Sequence, residues 1–160
     1  MEDKIQWCIR QKKGIELIKP SENLAKAYLI KAEKALESMR ANKENIEWEI
    51  PSAYYAMYFS LYALLMKLGV KSEIHSCTIE FTKTYLKDHF TREEIELLSE
   101  SREARIDAQY YVGREIDKTT HTKIINTAPD FMIKCKNTLP KIKDPEVTRI
   151  REDLNKRMKS

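Results

Sequence analysis

Ile50-Pro-Ser-Ala-Tyr-Tyr-Ala-Met-Tyr-Phe-Ser-Leu-Tyr-Ala-Leu-Leu-Met66 runs for 17 residues without a charge, in a chain that is 34% charged overall. Such a run is either a membrane span or the middle of a core. Tyr54, Tyr55, Tyr58 and Tyr62 argue against the membrane: four phenols in hydrocarbon need partners, and the run is short of the roughly 20 residues that a bilayer asks for. A helix apolar on nearly every side is instead the central helix of a bundle. At about 100° per residue, Tyr54, Tyr58, Leu61 and Leu65 share one face, with Tyr55 and Tyr62 on its flank. Most such stripes are core, their phenols finding local hydrogen bonds. The sharper reading is that some of these phenols line a cleft.

Working outward, Gly69 is placed to close this helix as a C-cap, and Ser21, after Pro20, to open the preceding one as an N-cap. Leu24, Ala27, Tyr28, Lys31, Ala35, Leu36 and Met39 then recur at helical spacing, which predicts a long surface helix with one buried stripe. A short amphipathic segment at about Glu2 to Lys12 comes before it and breaks at Gly14. Beyond Gly69, Ser76 is the expected N-cap of a shorter helix carrying Ile79, Phe81, Tyr85 and Leu86. Thr91 with Glu94 forms a capping box for a helix reaching about Val112. A further helix from about Thr120 to Thr138 ends at Pro140, and Pro145 precedes a last charged helical stretch.

Composition agrees with an all-α fold. Among 160 residues there are only three Gly and five Pro, so turns are scarce and long helices are favoured. The expectation is an antiparallel up-and-down bundle of five to six helices over residues 1–140, with a basic, helical C-terminal tail at 141–160 that is mobile or partner-bound. The net charge is +4, and the stretch from Lys141 to Ser160 holds seven basic residues against four acids, or +3 of it. The body is therefore close to neutral, and any anion it holds must rely on a few placed arginines. Cys8, Cys77 and Cys135 are odd in number and far apart, which excludes a disulfide framework and predicts a reducing compartment. With Glu2 and Asp3 ahead of any apolar run, no secretory signal is read, and a cytoplasmic location follows.

The helix after Thr91 carries the most informative group. Leu97, Ala104, Ala108 and Tyr111 fall on one face, while Ile95, Arg102, Arg105, Ile106 and Gln109 cluster nearly opposite. Two apolar stripes imply two partners, so the second, with both arginines, marks a dimer seam or a cleft. Guanidinium planes three residues apart suit phosphate or carboxylate. The plainer alternative pairs Arg102 with Asp107 or with the surroundings of Glu103 at the surface. His75 is a lone loop histidine without a serine or cysteine nucleophile, and with Cys77 it lacks the further ligands a metal needs; no metal or cofactor is expected. His89 and His121 are equally isolated. Walker, GxGxxG and HExxH patterns are absent.

The run Ser52-Ala-Tyr-Tyr-Ala-Met-Tyr-Phe-Ser-Leu-Tyr-Ala-Leu-Leu-Met-Lys-Leu-Gly69, followed by His75-Ser76, resembles the HEPN domain (higher eukaryotes and prokaryotes nucleotide-binding). Arg102-Glu-Ala-Arg-Ile-Asp-Ala-Gln-Tyr-Tyr111 is similar to the arginine-to-tyrosine stretch of that domain's fourth helix. The resemblance covers about Ser21 to Thr138. It implies an antiparallel helical bundle, a homodimer, and a gene beside a minimal nucleotidyltransferase in a toxin and antitoxin pair. Many members are metal-independent ribonucleases whose motif is an arginine, four to six residues and a histidine. Here the window after Arg105 holds Tyr110 and Tyr111, and neither arginine is followed by a histidine at that spacing. With no imidazole at that spacing from Arg102 or Arg105 to move protons near neutral pH, the expectation is the non-catalytic, nucleotide-binding branch.

The resulting expectation is a dimeric nucleotide- or RNA-binding protein. Its cleft would be formed by Arg102, Arg105, Gln109 and Tyr110, with Tyr54, Tyr58 and His75 at the same place. Two alternatives remain: an endoribonuclease with an atypical site, in which His75 serves Arg105, and a non-catalytic dimerisation module.

Overall fold

Burial concentrates on the helix that the charge-free run predicts. In the computed structural model, which describes residues 3–160, seven α-helices follow one another: α1 Lys4–Arg10, α2 Glu22–Ala41, α3 Ile46–Leu68, α4 His75–Tyr85, α5 Arg92–Tyr110, α6 Lys118–Thr138 and α7 Asp144–Met158. The fold is an all-α bundle with α3 at its centre, packed against α2, α5 and α6. Tyr54, Met57, Leu61, Leu64, Leu65 and Leu68 are fully enclosed. The helix begins at Ile46, a turn before the charge-free run, and carries Pro51 within it. The buried Glu49 of that added turn is answered by His121 of α6, whose Nε2 lies 2.6 Å from its carboxylate. Among the described residues no helix is long and apolar enough to cross a membrane.

Local signals set most of the helix ends. The Ser21 hydroxyl accepts from Leu24 N–H, Thr91 and Glu94 complete the reciprocal capping box, and Gly69 closes α3 in the left-handed conformation at φ 71°. Seven helices stand where five to six with a helical C-terminal extension were expected: α7 is that extension, and the short first segment is a regular helix as well. Asp3 caps α1 through Gln6 N–H, and Pro145 sits in the first turn of α7, where its missing donor is not needed. Glu2, where the first segment was expected to start, lies outside the described residues. In α2 the buried stripe is Ala25, Ala32, Leu36 and Met39, whereas Leu24 is 44% exposed. The stripe thus overlaps the expected one at Leu36 and Met39 and is shifted by one position at its start, from Leu24 to Ala25.

Three features depart from the sequence expectation. Cys8 of α1 and Cys77 of α4 form a disulfide across 69 residues, with Cα atoms 5.7 Å apart, while Cys135 is free and buried. The argument for a reducing compartment from three unpaired cysteines therefore falls; spacing could not show a pairing that only the packing of α1 on α4 creates. A two-residue antiparallel ladder, β1 Glu16–Leu17 with β2 Val70–Lys71, ties the chain before α2 to the chain after α3. Finally, the charged α7 is docked. Ile150 and Leu154 are buried, Arg151 reaches the end of α3, and Tyr85 O–H donates to Asp153 at 2.6 Å.

Candidate functional site

Tyr54 of α3 is the hub of the site. Its hydroxyl lies 2.8 Å from His75 Nδ1, and its ring carries the Arg105 guanidinium 5.3 Å from the centroid. The His75 ring stacks on Tyr58 with centroids 4.1 Å apart and planes 9° from parallel, and Tyr58 O–H shares a 3.0 Å hydrogen bond with Thr78. His75 stands at the first position of α4 and Arg105 well along α5, so three helices meet at this point. Helix α4 starts at His75 with Ile74 as its cap residue, which moves Ser76 from the expected N-cap into the first turn.

Arg105 is placed differently from the expectation. The helical wheel put it nearly opposite the core face of α5, yet it is only 8% exposed and stands beside the enclosed Leu98, Ser101 and Ala104. It lies about 80° from Leu97 on the wheel, at the border of the two stripes, and the long side chain folds inward over Tyr54 and Tyr55. Arg105 Nη1 donates to the Tyr55 hydroxyl and to Gln109 Oε1, both at 3.2 Å. Among the described residues it meets no carboxylate, and its Nε–H is buried without an acceptor. Arg102 bonds Glu103 at 3.1 Å through Nη1, and its Nε–H is likewise buried and unpaired. Asp107, the other partner considered for Arg102, pairs with Arg114 instead.

The electrostatics follow from this placement. Burial, then the nearby cations of Arg105 and Arg102, push the His75 pKa down from 6.5 to about 4. The imidazole is therefore neutral at pH 7. Burial and the neighbouring Tyr58 hold the Tyr54 phenol well above its ordinary value, so it keeps its proton. A fully enclosed hydroxyl with Nδ1 as its partner donates there, since the opposite arrangement would strand its proton. That leaves the hydrogen of His75 on Nε2. The two guanidinium Nε–H groups are buried donors without acceptors, and beside them the half-buried His75 offers a neutral Nε2–H, a set that fits an oxygen-rich anion.

Tyr54, Tyr58, His75, Arg102, Arg105 and Gln109 are thus gathered, whereas Tyr110 is 68% exposed and stands apart. Tyr55 and Thr78 belong to the site and were not singled out as site residues. Tyr55 was legible as a flank residue of the α3 stripe; Thr78, three residues after His75, had no signal of its own. Among the described residues no three of His, Cys, Asp and Glu are grouped to hold a metal ion.

The family model of the HEPN domain matches residues 25–138. Among curated proteins, none matches the chain significantly. The matched stretch runs from α2 through α6 and contains every residue of the cluster, leaving α1 and α7 outside it. By a match over well more than half its length, the chain belongs to the HEPN domain family.

Proposed function

We propose that the protein binds the phosphate of a nucleotide or RNA at the cluster of Arg105, Arg102 and His75. The observation that carries this reading is Arg105: a buried guanidinium with only neutral partners and an unpaired Nε–H. An uncompensated buried cation costs several kcal/mol, of order 3, unless something anionic completes it. His75 adds a neutral donor, and Tyr54 holds the imidazole in the tautomer that donates. Binding is better supported than cleavage by His75, since an imidazole with a pKa of about 4 neither carries a proton at pH 7 nor takes one readily. A cytoplasmic homodimer, working with a minimal nucleotidyltransferase as a toxin and antitoxin pair, is the setting that the family resemblance suggests. The exposed Tyr111 and Val112 just beyond α5 are consistent with a subunit contact near the cluster.

The test is calorimetric titration of ATP and a short RNA into wild type and Arg105→Met, with folding of both checked by circular dichroism. Affinity should fall about tenfold or more in the variant, as expected for the loss of one charged contact of about 1.4 kcal/mol or greater. Equal affinity for both proteins removes the cluster from consideration.

A further inference from the structure

The space beside Arg102 continues along the molecule. Arg102 and Ser76 line a cavity of about 370 Å³ between α4 and α5, and Lys4, Ile79 and Ser99 line both it and a second cavity of about 580 Å³. The two form one groove. It starts at the first turn of α4, where His75 stands, and reaches Lys83 and Lys87 at the other end of that helix. Its floor is apolar, from the buried Ile79 of α4 and Ile95 of α5.

Both signs of charge line the groove, but they do not balance evenly along it. Glu80 is paired with Lys4 at 4.0 Å, Glu96 with Arg92 at 3.0 Å and Glu103 with Arg102 at 3.1 Å, while Glu100 pairs outside the groove with Lys123 at 3.3 Å. Every lining carboxylate is therefore compensated. Lys83 and Lys87 are exposed, and among the described residues neither forms an ion pair, although Glu80 and Glu96 line the same cavity. Cations without a carboxylate partner thus stand at the lysine end as Lys83 and Lys87 and, outside the lining at the other end, as the buried Arg105 three residues beyond Arg102 on α5. From His75 to Lys83 is about 12 Å along α4, at about 1.5 Å per residue. A single nucleotide carries its phosphates in one cluster and cannot serve both ends. A single strand can, with its bases over the aliphatic floor.

We propose that the α4–α5 groove is a track for a single-stranded oligonucleotide, with one phosphate at the Arg105 cluster and a later one at Lys83 and Lys87. This rests on the phosphate-binding reading of that cluster and narrows its ligand from any nucleotide to a strand.

The experiment compares AMP with oligoadenylates of increasing length, and with a duplex, on wild type, Lys83→Gln/Lys87→Gln and Arg105→Met. Wild-type affinity should rise with length until the groove is spanned. The double lysine variant should lose that gain while binding AMP as wild type does. Its dependence of log affinity on log salt should flatten by about 1.4, at about 0.7 for each lysine contact to a single strand. Length-independent affinity, an unchanged salt slope, or a preference for duplex overturns the track. If AMP binding is nevertheless lost in Arg105→Met, the phosphate site stands without the track. If Arg105→Met binds AMP and the oligomers as wild type does, both readings fail.

Discussion

Two arginines lean on α3, one at its C-terminal end and one near its middle, and their surroundings could hardly differ more. Arg151 of α7 meets the C-terminal end, where Nη1 donates to the carbonyls of Ile18, Gly69 and Leu68 at 2.8, 2.7 and 3.2 Å. It satisfies acceptors that a helix end leaves open, at the negative pole of the helix dipole. Arg105 of α5 meets the tyrosines nearer the start and finds a phenol and an amide, with Nε–H unanswered. The histidines divide in the same way. His121 faces Glu49 at 2.6 Å and His89 faces Glu146 at 2.9 Å, but His75 faces two cations. Arg151, His121 and His89 find their partners within the chain, whereas at the Tyr54 cluster two guanidinium Nε–H groups are left open, which is what a ligand site requires of them.

The largest expected effect tests this contrast by stability. Arg151→Ala removes a charged donor from three carbonyls, and a loss of about 2–3 kcal/mol should appear in urea denaturation. Arg105→Met in the same experiment should be neutral or more stable by about 1 kcal/mol, because it replaces an uncompensated buried cation with an apolar chain of similar length. Comparable losses from both substitutions would make Arg105 a structural residue like Arg151 and end the distinction.

A second test uses pH. His75 has an ordinary value of 6.5 and a folded value of about 4, so between those limits the unfolded chain takes up a proton that the folded imidazole refuses. Stability from this group is intact above pH 6.5 and declines as the pH falls towards 4. His75→Gln should flatten that part of the stability profile. In an NMR titration the His75 ring should change charge near pH 4 in the free protein, and at higher pH when inorganic phosphate is present, since a bound anion offsets Arg105 and Arg102. Titration of His75 near 6.5 without phosphate would mean that the ring is neither buried nor faced by the two guanidiniums.

The legible parts of the molecule are those governed by neighbours in the chain. The α3 core follows from an unbroken apolar composition, and the ends at Ser21, Gly69 and Thr91 follow from capping chemistry that acts within four residues. The Cys8–Cys77 bond and the β1–β2 ladder join segments that only the packed fold brings together, and nothing local announces them. The site falls between these cases. Its residue types were legible, with Tyr54, Tyr58, His75, Arg102 and Arg105 all visible as candidates. What periodicity could not decide was which way Arg105 turns, because at the border of two stripes a long side chain can lie over either. The docking of α7 was equally hidden: its charge reads as a mobile or partner-bound tail, whereas Ile150 and Leu154, four residues apart, are buried and Arg151 and Asp153 tie it to the bundle.

The smallest expected effect concerns how Arg105 is held. Its Nη1 has two neutral partners, Tyr55 and Gln109, each at 3.2 Å, and the phenol belongs to α3 while the amide belongs to its own helix. Tyr55→Phe keeps the ring under the guanidinium and removes only the acceptor. Arg105 then keeps its charge and its amide but loses the hydrogen bond that ties it to α3. Phosphate affinity should fall by about fivefold, corresponding to about 1 kcal/mol for one partly exposed hydrogen bond to a charged group. Stability should change little, because Arg105 retains Gln109 and the ring remains in place. Calorimetric titration and urea denaturation of this one variant separate the two properties. A large stability loss with unchanged binding would show that the Tyr55 hydroxyl serves the fold, as the carbonyls around Arg151 do, and would move Arg105 to the paired side of the comparison.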